Sequence, residues 1–410
     1  MSRVETKTTT RLEVPSRDYL YYRDALADQP LPAAFIDLDQ FSVNLERLRL
    51  RAGGLPVRLV TKSVRSVQII RRILEAGPFM QGLLCYSVGE AAWLASEGFD
   101  DIVVAYPSVE PADIRAAAAQ IKKGRSITLM VDCTEQVIKI SQIAREEGVV
   151  ISLAMDLDMS SRFPGVYFGV HRSPVHDVPT ALALARFIAK RQGVVLEGLM
   201  GYEGQIAGLM DDIPGQALKN AVIRYLKRKS IREVNARRRD VVAALKKDGH
   251  ALRFVNGGGT GSFESTREDA SVTELAAGSG LYAPTLFDHY KAFKALPAAG
   301  FALPITRVPK PGVVTCSGGG YIASGPMGLD RLPLPWLPAG CSLIPNESVG
   351  EVQTPLRHSL ATAPSIGEPI LFRHAKAGEL CERFNELLLI QDGKVIDKVL
   401  TYRGERKSFF

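Results

Sequence analysis

Apolar strand-like runs alternate with amphipathic stretches from residue 33 to about residue 290, and this rhythm constrains the fold more than any other feature. Eight runs have the length and composition of buried strands: AAFIDL (33–38), VRLVT (57–61), GLLCY (82–86), DIVVAY (101–106), SITLMVD (126–132), ISLAMDL (151–157), VLEGLM (195–200) and LRFVN (252–256). Strands that are apolar throughout are typical of parallel sheets covered on both faces. Eight of them, separated by helix-like segments, favour a closed (β/α)8 barrel over an open doubly wound sheet.

The composition changes after roughly residue 295, where proline and glycine become dense and the apolar runs shorten. The tetrapeptide QDGK between two β-rich runs indicates a hairpin. A chain of 410 residues also exceeds what one hydrophobic core usually holds. We therefore predict an N-terminal extension (1–30) able to pair with the second domain, a barrel over 31–294 and a mostly β domain over 295–410.

Charge and cysteine content limit the function classes. Most of the net charge of +7 comes from residues 224–247, which hold ten Lys or Arg against Glu233 and Asp240. Apolar residues recur there at helical spacing, which is typical of a solvated outer helix with one packed face, so nucleic-acid binding is not favoured. We find no run suited to a signal peptide or a membrane span, and the five cysteines are scattered without a CxxC, which predicts a cytoplasmic protein.

Polar side chains follow the predicted strands at the end where barrel enzymes carry their active sites. Lys62 follows the second run, and the other candidates are Tyr86, Tyr106, Asp156, Asp158, Arg162, Tyr202, Glu203 and Gln205. A lysine at the end of a buried strand either extends to solvent or does chemistry, because desolvated lysines form Schiff bases readily. All of these side chains would meet at one end of the barrel, and this favours the chemical interpretation.

A glycine-rich loop, NGGGTGSF (256–263), follows the eighth run. Barrel enzymes often bind phosphate there, since glycine lets the backbone approach an anion closely. The spacing is not that of a dinucleotide-binding G-x-G-x-x-G. The segment TELAAGSGLY (273–282) supplies a second small-residue turn near the same phosphate. A phosphate anchor combined with a buried amine at Lys62 predicts pyridoxal phosphate held as a Schiff base.

Six segments carry a family resemblance when taken in order: LPAAFIDLDQFSVNLERL, RLVTKSVRS, YSVGEAAWLASEG, DIVVAYP, GGGTGSF and TELAAGSGLY. Together they resemble the D-threonine aldolase and D-serine dehydratase family, which are pyridoxal-phosphate enzymes of the alanine-racemase fold type. The resemblance implies that Lys62 forms the Schiff base, that Arg162 lies against the pyridine nitrogen and that Tyr202 contacts the cofactor. It also implies that six residues surround the phosphate: Gly258, Gly259, Thr260, Gly278, Ser279 and Tyr282.

The chain departs from the family pattern near the C-terminus. The family's metal pair is His-x-Asp or His-x-Cys, whereas FRHAKAGELCERFNE places Lys376 two residues after His374. A protonated lysine does not ligate, so either Glu379 or Cys381 completes a manganese, zinc or magnesium site, or Lys376 supplies positive charge directly. His374 is the predicted second catalytic residue, with an ordinary structural histidine as the alternative.

The sequence therefore predicts a lyase acting on a β-hydroxy amino acid, with the resemblance favouring the D configuration, through aldol cleavage or dehydration. An amino-acid racemase, which needs an acid/base on each face of the cofactor, is the main alternative; Lys62 can serve one face, but we find no convincing tyrosine for the other. A non-catalytic pyridoxal-phosphate carrier is disfavoured, because carriers consist of the barrel alone and this chain continues through residues 295–410. The fold type implies a two-fold homodimer.

Overall fold

The computed structural model describes residues 17–362 and 364–410. Its strands, in chain order, are β1 (Ala33–Asp37), β2 (Val57–Val60), β3 (Met80–Cys85), β4 (Ile102–Val104), β5 (Ile127–Val131), β6 (Ile151–Asp156), β7 (Ser161–Phe163), β8 (Val166–Phe168), β9 (Val194–Gly201), β10 (Phe254–Gly257), β11 (Glu274–Ala277), β12 (Ala299–Lys310), β13 (Val313–Ser317), β14 (Leu334–Leu337), β15 (Cys341–Leu343), β16 (Gln353–His358), β17 (Pro369–Arg373), β18 (Glu386–Gln391) and β19 (Lys394–Leu400). Its helices are α1 (Tyr19–Ala25), α2 (Leu38–Ala52), α3 (Val67–Leu74), α4 (Val88–Ser96), α5 (Pro111–Ile121), α6 (Thr134–Glu147), α7 (Val178–Ala189), α8 (Gly204–Ala207), α9 (Ala217–Lys247), α10 (Phe263–Thr266) and α11 (Ser279–Tyr282). Short 3-10 turns span Thr61–Ser63, Thr285–Phe287, Leu329–Arg331 and Gly378–Glu382.

A closed parallel barrel forms the larger part of the molecule. Its strand order is β10-β11-β2-β3-β4-β5-β6-β9 within the described chain. The barrel interior is filled by one buried side chain from each of seven strands: Leu84, Val103, Met130, Ala154, Met200, Phe254 and Ala276. The predicted fold class, a (β/α)8 barrel followed by a mostly β domain, is confirmed.

The prediction that residues 33–38 form the first barrel strand is wrong. Strand β1 lies in the sheet of the β domain, antiparallel to β12 and parallel to β18, with Phe35 opposite Gly300 and Leu388. All five residues of β1 are buried. An apolar run buried on both faces has the same composition in either sheet, so the run itself does not indicate its sheet.

Strand β11, which the sequence presented as a small-residue turn, takes the place of the eighth barrel strand. It pairs with β10 on one side and β2 on the other, with Glu274 opposite Asn256 and Leu275 opposite Val57. Glu274 accepts hydrogen bonds from the fully buried Arg58 guanidinium at 2.7 and 2.8 Å. This ion pair joins β11 to β2 across the seam that completes the barrel.

The β domain is built on a sheet with the order β15-β16-β13-β12-β1-β18-β19; in addition, β17 pairs with β12, and β14 pairs with β17. Helix α1 packs on this sheet, with the Tyr22 and Phe35 ring centroids 5.1 Å apart. Residues 1–16 of the predicted extension lie outside the described residues, and the domain boundaries stay predictions. Among the described helices, we find none whose length and apolar character suit a membrane span.

The basic segment forms helix α9, as expected for an outer helix with one packed face. Val234, Val241 and Leu245 are buried along it. Arg238 is buried as well, and its guanidinium pairs with Glu203 and, at 3.0 Å, with Asp269. Arg238 therefore pairs with two buried carboxylates instead of contributing to the solvated surface of the helix.

Candidate active site

Lys62 lies at the mouth of the barrel, in the Thr61–Ser63 turn that follows β2. Its Nζ donates a hydrogen bond to Tyr106 Oη at 2.8 Å. The side chain is exposed rather than buried as the sequence analysis expected, because the turn carries it beyond the apolar interior. Lys62 is thus an accessible amine held by one defined partner.

Three further side chains surround Lys62 in the same cavity: Tyr106, Arg172 and Tyr202. The Arg172 guanidinium carbon lies 5.3 Å from the Tyr106 ring centroid and 5.1 Å from that of Tyr202. Burial alone would raise the pKa of Tyr106, but the charges of Lys62 and Arg172 lower it below its usual value. Burial raises the pKa of Tyr202 to about 12, against the opposing effect of Arg172. The cavity is therefore electropositive on the side of Lys62.

Two glycine-containing turns line the same cavity as Lys62. Gly258, Gly259 and Thr260 follow β10, and Gly278 and Ser279 follow β11. A Cβ on Gly278 would lie 2.6 Å from the Val60 carbonyl oxygen, so glycine is required for this close approach. The two turns are also joined, since Gly280 N–H donates to Thr260 Oγ1 at 3.2 Å.

A buried network holds the first of these turns in place. Gly258 N–H donates to Glu203 Oε2 at 2.9 Å, and Glu203 pairs with the buried Arg238. Gly258 itself has a φ of +78°, which glycine adopts without strain. Glu203, which the sequence analysis considered among the strand-end candidates, is thus committed to positioning the loop.

The structure does not bring every predicted cofactor residue to this cavity. Arg162 is exposed on the β7–β8 hairpin, and the described residues that line the cavity include Arg172 instead. Tyr282 is fully buried and its hydroxyl donates to the Val64 carbonyl at 3.1 Å, so it supports the wall behind the turn. Lys62, Tyr202 and the five other predicted phosphate residues do line the cavity.

These residues fit pyridoxal phosphate. An exposed lysine amine suits the aldehyde carbon, and two turns that exclude a Cβ suit a phosphate approached by backbone. Arg172 is the guanidinium available to the pyridine ring, since it lies in the cavity beside Tyr202. Lys62, Arg172, Tyr202 and the two turns are the residues that would hold the cofactor.

The predicted metal residues lie at the outer part of the same cleft. Glu379 and Lys376 line the region shared with Lys62, and His374 lines the region beyond it. Both His374 ring nitrogens are buried without a hydrogen-bond partner among the described residues. Burial, with a smaller effect of Arg373, lowers the pKa of His374 to about 3, so the imidazole is neutral at ordinary pH.

The donors near His374 do not fit a metal ion. Within residues 17–362 and 364–410, no three His, Cys, Asp or Glu side chains form a set able to hold one. The Cys381 thiol donates to the Val64 carbonyl with Sγ and O 3.3 Å apart, and burial raises its pKa to about 12. Both oxygens of Glu379 accept hydrogen bonds from Ser324.

Sequence reasoning missed several residues of the cleft. Tyr106 lies at the end of a predicted strand, the same feature that selected Lys62, but the sequence analysis assigned it no role. Arg172 and Ser324 lie in loops without periodicity, and we find no signal in a single sequence that would have selected them. Asp156, another strand end, is buried, and this raises its pKa to about 7 against the opposing charge of Arg172.

Comparison with known proteins is consistent with this site. Residues 36–285 match the family model described as "Alanine racemase, N-terminal domain". The chain is 26% identical over 250 residues to a 3-hydroxy-D-aspartate aldolase of Paracoccus denitrificans, covering 60% of this chain and 59% of that protein. It is 28% identical over 262 residues to a D-threonine aldolase of Arthrobacter sp., covering 62% of each. The chain thus spans about 60% of the length of these curated relatives.

Solved structures extend the likeness in fold to nearly the whole chain. A D-threonine aldolase from Filomicrobium marinum superposes with a TM-score of 0.79 at 21% identity, covering 92% of this chain and 96% of that chain. A D-threo-3-hydroxyaspartate dehydratase from Delftia sp. gives a TM-score of 0.73 at 19% identity, covering 92% and 99%. At these identities the likeness shows a shared fold.

Proposed function

Because the chain belongs to the family of the alanine racemase N-terminal domain, which implies pyridoxal phosphate, we propose that it is a lyase acting on a β-hydroxy amino acid through this cofactor. The observation that carries the proposal is that Lys62 lines one cavity with two glycine turns, with Arg172 between Tyr106 and Tyr202. The relatives named as aldolases and a dehydratase of D-configured hydroxy amino acids support a D substrate and leave aldol cleavage and dehydration both open.

When bound, pyridoxal phosphate joins an amine through its aldehyde carbon and accepts the electron pair released at the substrate's Cα. Lys62 would supply the protein's amine, and its free amine would be able to exchange a proton with the substrate. Tyr106 orients Lys62 Nζ through the 2.8 Å hydrogen bond. The two glycine turns, which line the same cavity, would anchor the phosphate and so hold the cofactor near Lys62.

We assign to Arg172 the role at the pyridine nitrogen that the sequence analysis gave to Arg162. A guanidinium retains its proton, so a ring nitrogen beside it stays unprotonated and the cofactor is a weaker electron sink. The chemistry therefore needs help at the substrate hydroxyl. Lys376 and Glu379, which line the outer part of the cleft, are placed to give this help.

Assembly and location stay predictions. A two-fold homodimer is implied by the fold type, and light scattering of the active protein measures it directly. Residues of the chain's own β domain, including Lys376 and Glu379, line the cleft with Lys62. A fully active monomer would show that the active site needs no residue from a partner subunit. The scattered cysteines predict a cytoplasmic location.

The test is a product assay with separate detection of glycine, 2-oxo acid and inverted amino acid. We expect D-threonine or D-serine to give glycine or 2-oxo acid, and the L forms to give neither. Lys62→Ala should abolish turnover, whereas Lys394→Ala, an exposed lysine on the β18–β19 hairpin, should retain it. Racemised product without cleavage or deamination would establish the racemase alternative instead.

A further inference from the structure

Lys376 lies in the same cleft as Lys62 and is held in one position there. Its Nζ donates to Ser324 Oγ at 2.7 Å and lies 3.6 Å from Glu379 Oε1. Ser324 in turn donates its hydroxyl to Glu379 Oε1 at 2.5 Å and its N–H to Oε2 at 2.8 Å. An ammonium group has three N–H donors, and one is used by Ser324, so Lys376 retains donors for a ligand in the cleft.

The charges of this cluster favour a fixed cation over a metal site. Burial alone would raise the pKa of Glu379, but hydrogen bonds from Ser324 and the charge of Lys376 lower it, so the carboxylate stays ionised. Its two oxygens are already occupied by Ser324, and the ammonium stands beside them. A divalent cation would have to displace Lys376 from its anionic partner to gain a single oxygen ligand.

We propose, building on the lyase function, that this enzyme needs no divalent metal ion and that Lys376 contacts the β-hydroxyl oxygen of the substrate. In aldol cleavage the hydroxyl proton passes to the free Lys62 amine, the Cα–Cβ bond breaks with its electron pair left on Cα, and the oxygen becomes the carbonyl oxygen of the released aldehyde. In dehydration Lys62 takes the Cα proton, the Cβ–O bond breaks, and the oxygen leaves with that electron pair as hydroxide, which is protonated to water. Both reactions raise the electron density on the oxygen, and a preorganised ammonium stabilises that charge. Ser324 and Glu379 are positioning residues that hold the ammonium.

The substrate carboxylate has a better partner than Lys376. Arg331 lines the same cleft, and its nearest carboxylate partner, Asp330, lies 3.6 Å away. Its Nε is buried without a hydrogen-bond partner among the described residues. A guanidinium matches a carboxylate through paired hydrogen bonds, whereas an ammonium acts as a point charge suited to a hydroxyl oxygen. We therefore place Lys376 at the hydroxyl.

The first experiment tests the metal. Holoenzyme treated with EDTA and desalted should retain full activity, contain less than one-tenth equivalent of metal by elemental analysis, and give no binding heat when titrated with Mn²⁺ or Zn²⁺. Loss of activity on chelation with recovery on adding Mn²⁺, Zn²⁺ or Mg²⁺ would overturn the proposal.

The second experiment tests the contact with Lys376→Met, which removes the charge and keeps the length. We expect kcat/KM for D-threonine to fall about 10-fold to 100-fold, the range for losing a hydrogen bond to a charged group. The absorbance of the bound cofactor reports substrate affinity separately from turnover. By this readout, affinity for D-threonine should weaken while affinity for D-2-aminobutyrate, which lacks the hydroxyl, should not change. Equal weakening for both ligands would assign Lys376 to the carboxylate and overturn the proposal.

Two controls complete the design. Lys376→Arg keeps a cation and should recover part of the kcat/KM that Lys376→Met loses, and Lys394→Met, on the exposed hairpin, should behave as the unaltered enzyme. Failure of the proposed function is distinguishable, because it would appear as absence of lyase products from the unaltered enzyme. Elemental analysis and the metal titrations do not depend on turnover and would still report on the metal.

Discussion

Glu90 is a fully buried carboxyl group whose replacement by glutamine should change how stability depends on pH. It lies in the first turn of α4, next to the cleft residue Tyr86. Its carboxylate accepts hydrogen bonds from Tyr86 N–H and Tyr402 Oη, each at 2.8 Å. Burial nevertheless outweighs these bonds and raises the pKa of Glu90 from 4.5 to about 7.

The sign of the effect follows from proton binding. In the unfolded chain Glu90 loses its proton near pH 4.5, whereas in the folded protein it loses it near pH 7. Between these values the unfolded state binds fewer protons than the native state, so the free energy of unfolding falls as the pH rises. The full loss is about 3 kcal/mol and is complete above pH 7. Between pH 5 and pH 8 it amounts to roughly 2.5 kcal/mol.

Glu90→Gln cannot ionise and should lack this loss. Urea denaturation of both proteins at pH 5, 6, 7 and 8 should therefore show the stability of the unaltered protein falling relative to the variant by roughly 2.5 kcal/mol. Groups such as Asp156 titrate in both proteins and cancel in the difference. Glu97→Gln, an exposed position at the end of the same helix, should run parallel to the unaltered protein. Parallel curves for Glu90→Gln as well would refute the reasoning.

Three other substitutions probe the site and its support. Gly278→Ala should weaken pyridoxal-phosphate binding in equilibrium dialysis, because its Cβ would lie 2.6 Å from a carbonyl oxygen. Arg172→Met should raise the pKa of Tyr106 in an NMR titration of labelled tyrosine, since one of the two cations that lower it is gone; an unchanged value would place Arg172 elsewhere. Arg58→Met should cost about 3–5 kcal/mol in urea denaturation, because it leaves Glu274 buried and unpaired; a loss below 1 kcal/mol would show that the seam does not depend on this pair.

The barrel was predictable because buried parallel strands appear as apolar runs at regular spacing. The same property produced the error at β1, since a run buried on both faces fits either sheet. Strand β11 was missed because ELAA is only four residues long and is followed by Gly278, a pattern that resembles a turn. What placed it in the barrel is the pairing of Glu274 with Arg58, a contact between residues 216 positions apart.

The site was predictable where strand ends alone position residues, as for Lys62 and the glycine turns. Residues on irregular loops were not, because their position depends on tertiary packing. Arg162 and Arg172 follow the same strand, and only the β7–β8 hairpin decides which of them reaches the cavity. Arg238 appeared to be one cation among many in α9, yet its burial against Glu203 holds the glycine loop.

The central claim is that Lys62 binds pyridoxal phosphate covalently, and the most direct measurement is reduction of the holoenzyme with borohydride followed by proteolysis and peptide mass spectrometry. The account predicts a pyridoxyl group on the peptide containing Lys62, and no such adduct after the same treatment of Lys62→Ala. A pyridoxyl group on a different lysine, or a Lys62 peptide that stays unmodified when the protein has been saturated with cofactor, would contradict it.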